Sequence, residues 1–378
     1  MGHGTEPAEK RAHANRLLVV LAGAFDPAGD GTPLTDAETP ALGRMARLGR
    51  CGVLRLDARS SWDGFASMVA PPGRAPSLGA AEALGLSMSV GPGELAYRAD
   101  FVTLGDQGVS DPFGGKVRDP EASSLLDAVR AAFPSARLAR AGGHRNVCVL
   151  PAPEGFCPSP WEMVGRRPAS GLPAEGPVRA LYEAAAGVLA QHDVNQVRVD
   201  LRENPANALW LHGGGPGASA APPGDGAPAL VGRGAATAGL ALAAGMRSVV
   251  VEGDDDVLAA AALAEIARGG LVVVRTESVM DAAAAGPSAK RDALSRADAR
   301  LVAPLLAAIE ERDSWIAAVT ADAVIDAETR ALSRRPVPMA VAASDAGPGT
   351  GVAAFTERAC ETSGWHLGGP AEVLRLLV

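Results

Sequence analysis

Apolar residues in this chain fall into short unbroken runs near both ends and into alternating or broken patterns in the middle. Residues 17–21 (LLVVL), 247–252 (RSVVVE), 271–275 (LVVVR) and 315–320 (WIAAVT) have the composition of strands buried on both faces. Helical spacing separates the later runs, over 257–268 and 289–312. A further helix is expected over 39–48, with Thr39 as N-cap, Pro40 in the first helical position and Gly49 as the stop. Strand and helix in alternation predict an α/β fold, a mostly parallel sheet flanked by helices. The middle instead predicts short strands at 95–104, 146–150, 197–201 and 208–211 with many turns, and a Gly/Pro-rich hinge at 213–226. The economical organisation is a polar tail (1–16), a core made from both ends of the chain (17–72 and 228–378), and an inserted α+β cap domain (73–227).

The 378 residues, 47% of them hydrophobic, suffice for a large core. A formal net charge of −8 argues against nucleic acid as the main partner, because phosphate binding needs a basic surface. No apolar run is long enough for a membrane span, and the first sixteen residues lack the apolar centre of a signal peptide, so a cytoplasmic location is expected. Cys51, Cys148, Cys157 and Cys360 form no CxxC pair and read as free thiols.

Five motifs, in order, carry a resemblance. They are Thr32-Pro33-Leu34 followed by residues 37–42 (AETPAL); residues 94–103 (ELAYRADFVT); residues 111–117 (DPFGGKV) with Glu121-Ala122; residues 192–198 (HDVNQVR) with 205–211 (PANALWL); and residues 334–338 (RRPVP). Together they resemble the archaeal-type, cofactor-independent phosphoglycerate mutases, and through them the alkaline phosphatase superfamily. The resemblance spans roughly residues 17–378 and implies an alkaline-phosphatase-like core with an inserted substrate-binding cap.

Active members of that family are expected to hold two divalent metals with Asp and His and to carry the phosphoryl group on a serine. Two cations stabilise charge on phosphoryl oxygens and help ionise the nucleophile, and imidazole with carboxylate suits manganese or zinc. On this comparison the ligand positions are eroded. Ala22, Ala323 and Leu332 stand where the family has ligands, and no histidine lies between His212 and His366. Asp281 and Asp322 are the carboxylates left as residual metal ligands. Ser61 or Asp63 falls at the nucleophile position. Arg98, Arg145, Asn195 and Arg198 remain as candidates for holding an anionic ligand, arginine's fork being matched to phosphate and carboxylate.

The resemblance therefore implies a catalytically degenerate homologue, with no cofactor expected beyond a weakly held Mg2+ or Mn2+. It leaves an anionic small metabolite, a protein partner or a second copy of the chain as candidate occupants. The alternative is an active metal-dependent mutase or related phosphoryl-transfer enzyme. Lys290 and Asp298 match a helix motif of the family; packing is the plainer role for both. His212 beside its glycines also reads as structural, and Asp254-Asp255-Asp256 as a solvated loop or helix N-terminus.

Overall fold

The computed structural model describes residues 15–56, 58–151, 157–345, 352 and 354–377; most of the tail expected at 1–16 lies outside them. The chain lays down β1 (Asn15–Leu21) and β2 (Arg50–Leu54), then five strands of a second unit: β3 (Glu94–Gly105), β4 (Gly108–Asp111), β5 (Arg137–Gly142), β6 (Arg145–Pro151) and β7 (Ala208–Gly215). It returns for β8 (Ala229–Gly232), β9 (Arg247–Val250), β10 (Leu271–Thr276), β11 (Trp315–Thr320), the short pair β12 (Val324–Ile325) and β13 (Leu332–Ser333), β14 (Val337–Ala343) and β15 (His366–Leu367). Two compact units result. One comprises Met1–Ala75, Ala221–Arg233 and Ala244–Val378; the other comprises Pro76–Ala220 and Gly234–Ala243.

The first unit is built on an eight-stranded sheet in the order β15-β2-β14-β11-β1-β10-β8-β9. β1 runs parallel to both neighbours, β10 and β11, and only the pairings of β14 are antiparallel. Leu17, Val19 and Leu21 share one core with Leu258 and Ile266 of the Asp255–Arg268 helix and Leu294, Leu301 and Leu305 further on. Because β1 and β10 are covered on both faces, their sequences run apolar without alternation. β9 departs from the expectation for 247–252. It is the sheet edge, its residues are alternately half-buried and exposed, and among the described residues no strand pairs with its outer side.

The helix expected over 289–312 is two helices, Pro287–Ala297 and Ala303–Glu310, joined by a π-helical turn at Asp298–Val302. Pro304 gives the reason. It has no N–H for the turn before it and its ring crowds the carbonyl four residues back, so that turn widens. The 39–48 helix forms as Pro40–Leu48 with Gly49 at its end, but Thr39 makes no side-chain cap.

The second unit has an antiparallel five-stranded sheet in the order β4-β3-β6-β5, with β7 also paired to β3. Leu95, Tyr97, Ala99 and Phe101 of β3 pack in one core with Leu125 and Val129 of the Asp119–Ala132 helix and Leu181 and Ala185 of the Pro177–Leu189 helix. Ala96, on the opposite face, packs in a separate cluster with Ala83 of the Leu78–Gly85 helix. Residues 197–201, expected as a strand, lie instead in and just beyond the helix Asp193–Asp200. The alternation of VRVDL misleads because Val197, Val199 and Leu201 are all exposed, while Asn195 and Arg198, one helical turn apart, are buried. His192 caps that helix by accepting from the Val194 N–H at 3.2 Å. Gly213–Gly215, expected as part of a hinge, completes β7.

Candidate functional site

In the first unit, chemistry gathers where β1, β10 and β11 end. This carboxyl end is where open α/β sheets place their ligands. Gly23 follows β1 in a left-handed conformation (φ 55°), and a Cβ there would stand 2.5 Å from Ile325 Cδ1. Its N–H donates to Asp322 Oδ1 at 3.0 Å. The helix Ser61–Val69 is capped by Ser60, whose hydroxyl accepts from the Asp63 N–H at 3.1 Å. That helix presses against the Asp322 backbone at Gly64, where a Cβ would meet the Asp322 carbonyl oxygen at 2.0 Å, so only glycine fits. The close approach brings Ser61 to the same cation as Asp322.

That cation is Arg275, the last but one residue of β10. Its Nε donates to Asp322 Oδ2 at 3.0 Å, and its Nη2 lies 2.9 Å from the same oxygen. Nη2 also donates to Ser61 Oγ at 3.2 Å, and Nη1 to Glu277 Oε1 at 2.6 Å. The guanidinium carbon stands 5.7 Å from the Trp62 ring centre and 5.0 Å from that of Phe65, within cation–π range. Burial by itself would lower the Arg275 pKa; the Asp322 and Glu277 carboxylates more than offset it, and the net direction is upward. Asp322 is fully buried and Arg275 nearly so. In the sequence, Arg275 stands only as the end of an apolar run. The available signal was a lone arginine closing a buried parallel strand.

Of the residues expected at a metal and nucleophile site, the structure brings together Ser61 and Asp322. Asp63 is half-buried in the first turn of the Ser61–Val69 helix. Asp281 is exposed on the helix Ser278–Ala283. Ala22 and Ala323 are buried, and Leu332 lies half-buried in β13. Among the described residues, no group of three or more His, Cys, Asp or Glu side chains is arranged to hold a metal ion. The donor set does not fit a pair of divalent cations. Both oxygens of Asp322 already accept protein hydrogen bonds, and the compensating charge at the site is the guanidinium.

A second buried network lies in the same unit. Lys290 Nζ donates to Asp26 Oδ2 and to the Ile325 carbonyl, each at 2.7 Å. Asp26 Oδ1 accepts from the Ala327 N–H at 2.7 Å, and the Asp26 N–H donates to Glu357 Oε1 at 3.2 Å. Burial draws the Lys290 pKa down against the pull of Asp26, and burial raises that of Glu357. Asp298, projected from the π turn, accepts from the N–H groups of Ala41 (2.9 Å) and Leu42 (2.8 Å). It supplies the cap expected of Thr39. Asp254 caps the Asp255–Arg268 helix, whereas Asp255 is buried and accepts from Arg233, Thr276 and Ser278.

In the second unit the four candidate ligand residues separate. Asn195 bonds to the Leu189 and Ala206 backbone through three hydrogen bonds. Arg198 donates to the carbonyls of Asn204 (3.0 Å) and Gly115 (2.7 Å) and to Glu121 (3.1 Å). Both are thus engaged in holding loops to the Asp193–Asp200 helix. Arg98 and Arg145 are closer kin. Asp100, two residues from Arg98, pairs in register with Arg145, and Arg98 pairs in register with His212. Arg98 forms a buried ion pair with Glu82, and His212 Nε2 lies 2.8 Å from Asp100 Oδ2. Burial would raise the Asp100 carboxyl, but His212 and Arg98 hold it down at about 2; for Glu82 burial outweighs Arg98, and the direction is upward.

A carboxylate-bearing strand-end site on a mostly parallel sheet, with an inserted antiparallel unit, places the protein in the alkaline-phosphatase-like α/β class. Its fold matches a solved protein from Pyrococcus horikoshii at a TM-score of 0.68, with 19% identity over 97% of this chain and 96% of that one. It matches the cofactor-independent phosphoglycerate mutase of Thermoplasma acidophilum at 0.52, with 22% identity over 96% and 98%. The family model for 2,3-bisphosphoglycerate-independent phosphoglycerate mutase matches residues 64–195. Proteins of that name are 28% identical in Methanothrix thermoacetophila, over 93% of this chain and 95% of that one, and 26% identical in Methanosarcina acetivorans over the same shares. Over most of its length the chain is thus similar to archaeal 2,3-bisphosphoglycerate-independent phosphoglycerate mutases.

Proposed function

We propose that this chain is a catalytically degenerate homologue of those mutases, a cytoplasmic binding or interaction protein that keeps the fold without the phosphoryl transfer. One observation carries the reading. The carboxylate best placed to bind a metal, Asp322, is committed to Arg275 and to the Gly23 N–H. A guanidinium adjoining a metal site would repel the second positive charge by Coulomb's law in a low-dielectric interior. Arg98 and Arg145 are the residues that would face an anionic metabolite in the inserted unit, although Glu82 and Asp100 lie beside Arg98 and weaken its field for an anion.

The test is metal content and turnover together. The purified protein is incubated with Mn2+, Zn2+ and Mg2+, desalted, and its metal measured by mass spectrometry; interconversion of 2- and 3-phosphoglycerate is assayed in parallel. No retained metal and no turnover is the expected result. About two equivalents of tight metal with turnover would overturn the proposal.

A second reading rests on Ser61. Its hydroxyl lies beside a fixed cation at the start of a helix, a setting that favours an anionic group on that oxygen. Incubation with phosphoglycerate followed by peptide mapping decides it: phosphate on Ser61 would favour residual phosphoryl transfer.

A further inference from the structure

Asp322, Glu277 and Ser61 each present an oxygen to a different nitrogen of one guanidinium, Nε, Nη1 and Nη2 of Arg275. No other lysine or arginine contact to Asp322 exists among the described residues. Trp62 and Phe65 stand against the guanidinium, and Asp322 and Ser61 are buried beside it, while Glu277 is half-buried. Resting on the degenerate reading above, we propose that Asp322, Glu277 and Ser61 form a masked cation site whose resident is the tethered guanidinium of Arg275.

Several physical facts support this. The two carboxylates and a hydroxyl are oxygen donors of the kind that hard cations take, with water completing the shell. Asp322, the buried one of the two, would be left uncompensated without a cation beside it. A guanidinium spreads one charge over a plane and donates along several directions, which lets it satisfy oxygens that a small ion would draw to the centre of a sphere. Because the cation is covalently attached, the site is filled at any metal concentration. The pocket is thereby insensitive to chelators, and the sheet ends stay tied together without an exchangeable ion.

The test is the melting temperature of the full chain, measured with EDTA, Mg2+ or Mn2+. Wild type is expected to melt at one temperature in all three. Arg275→Ala is expected to melt lower in EDTA and to recover with a saturable dependence on Mg2+ or Mn2+. The double variant Arg275→Ala with Asp322→Ala is expected to lose that recovery. A saturable metal response of wild type, or an Arg275→Ala protein indifferent to both ions, overturns the masked site.

Should Arg275→Ala not fold, Arg275→Lys, which keeps the charge, is compared with Arg275→Met, which keeps only bulk. Higher soluble yield and melting temperature for lysine supports the proposal; equal behaviour of the two overturns it. Mutase turnover by wild type without bound metal would refute the non-catalytic reading alone, because the melting series does not depend on activity.

Discussion

Arg275 and Arg98 are both buried arginines facing carboxylates, one in each unit, and they differ in how completely their partners are matched. Around Arg275, both Asp322 oxygens accept hydrogen bonds and Glu277 takes a third N–H. Around Arg98, one guanidinium serves Glu82, with Asp100 nearby, and Glu82 Oε2 and Asp100 Oδ1 are buried without a hydrogen bond. The first cluster has a fixed charge pattern. The second leaves one oxygen of each carboxylate unmatched, and burial pushes Glu82 up while His212 and Arg98 hold Asp100 down. A buried ion cluster is thus held more completely where every carboxylate oxygen finds a donor than where some do not.

The largest effect is expected from Arg275→Met. It strands Asp322 as an uncompensated buried charge, and removing one partner of such a pair costs about 3–5 kcal/mol. Urea denaturation measures it, and a loss no greater than that from Arg98→Met would break the contrast between the two clusters. Lys290→Met belongs to the same class. It should destabilise by roughly 3 kcal/mol, with part of the loss returned when Asp26→Asn is added, because the stranded carboxylate is then neutral.

Next comes Asp298→Ala, which removes the cap on the Pro40–Leu48 helix and should cost about 1–2 kcal/mol, readable as a lower urea midpoint at unchanged slope. A further effect, of a different kind, is a pH dependence at Asp100. Its folded carboxyl titrates near about 2, below its ordinary 3.8. The stability it contributes is therefore present above pH 3.8 and is lost as pH falls from there through about 2. Asp100→Asn should flatten that acid limb in a stability–pH series, and an unchanged limb would remove the held-down Asp100 from the comparison.

Much of this arrangement was legible in the sequence, and the reasons for the rest are particular. Residues 17–21, 271–275 and 315–320 were readable as strands because burial on both faces removes alternation. Asp322 was readable as a candidate through its place in a familial motif. Arg275 was not, because neither periodicity nor spacing distinguishes a buried arginine that binds a carboxylate across the sheet from one that reaches solvent. The partner, Asp322, lies 47 residues away. Residues 197–201 misled through an alternation whose apolar members face outward, and Thr39 misled because the cap came from Asp298, 256 residues beyond Leu42. In each case a long-range contact decided what local pattern could not.

The placement of β1 between β10 and β11 has a consequence for the order of events during folding. Its partners on both sides arise more than 250 residues later: Leu17 faces Val272 on one edge and Ala317 on the other. A chain emerging from the ribosome therefore carries LLVVL uncovered while the whole inserted unit is made, and that unit has all its strands once Gly215 appears. Parallel, sequence-distant pairing is slow to form and leaves apolar segments open to misassociation in the interval. The N-terminal strand is the first to be synthesised and among the last to be sheltered, so truncation before Thr320 should yield an aggregating fragment in which the inserted unit alone protects its amides.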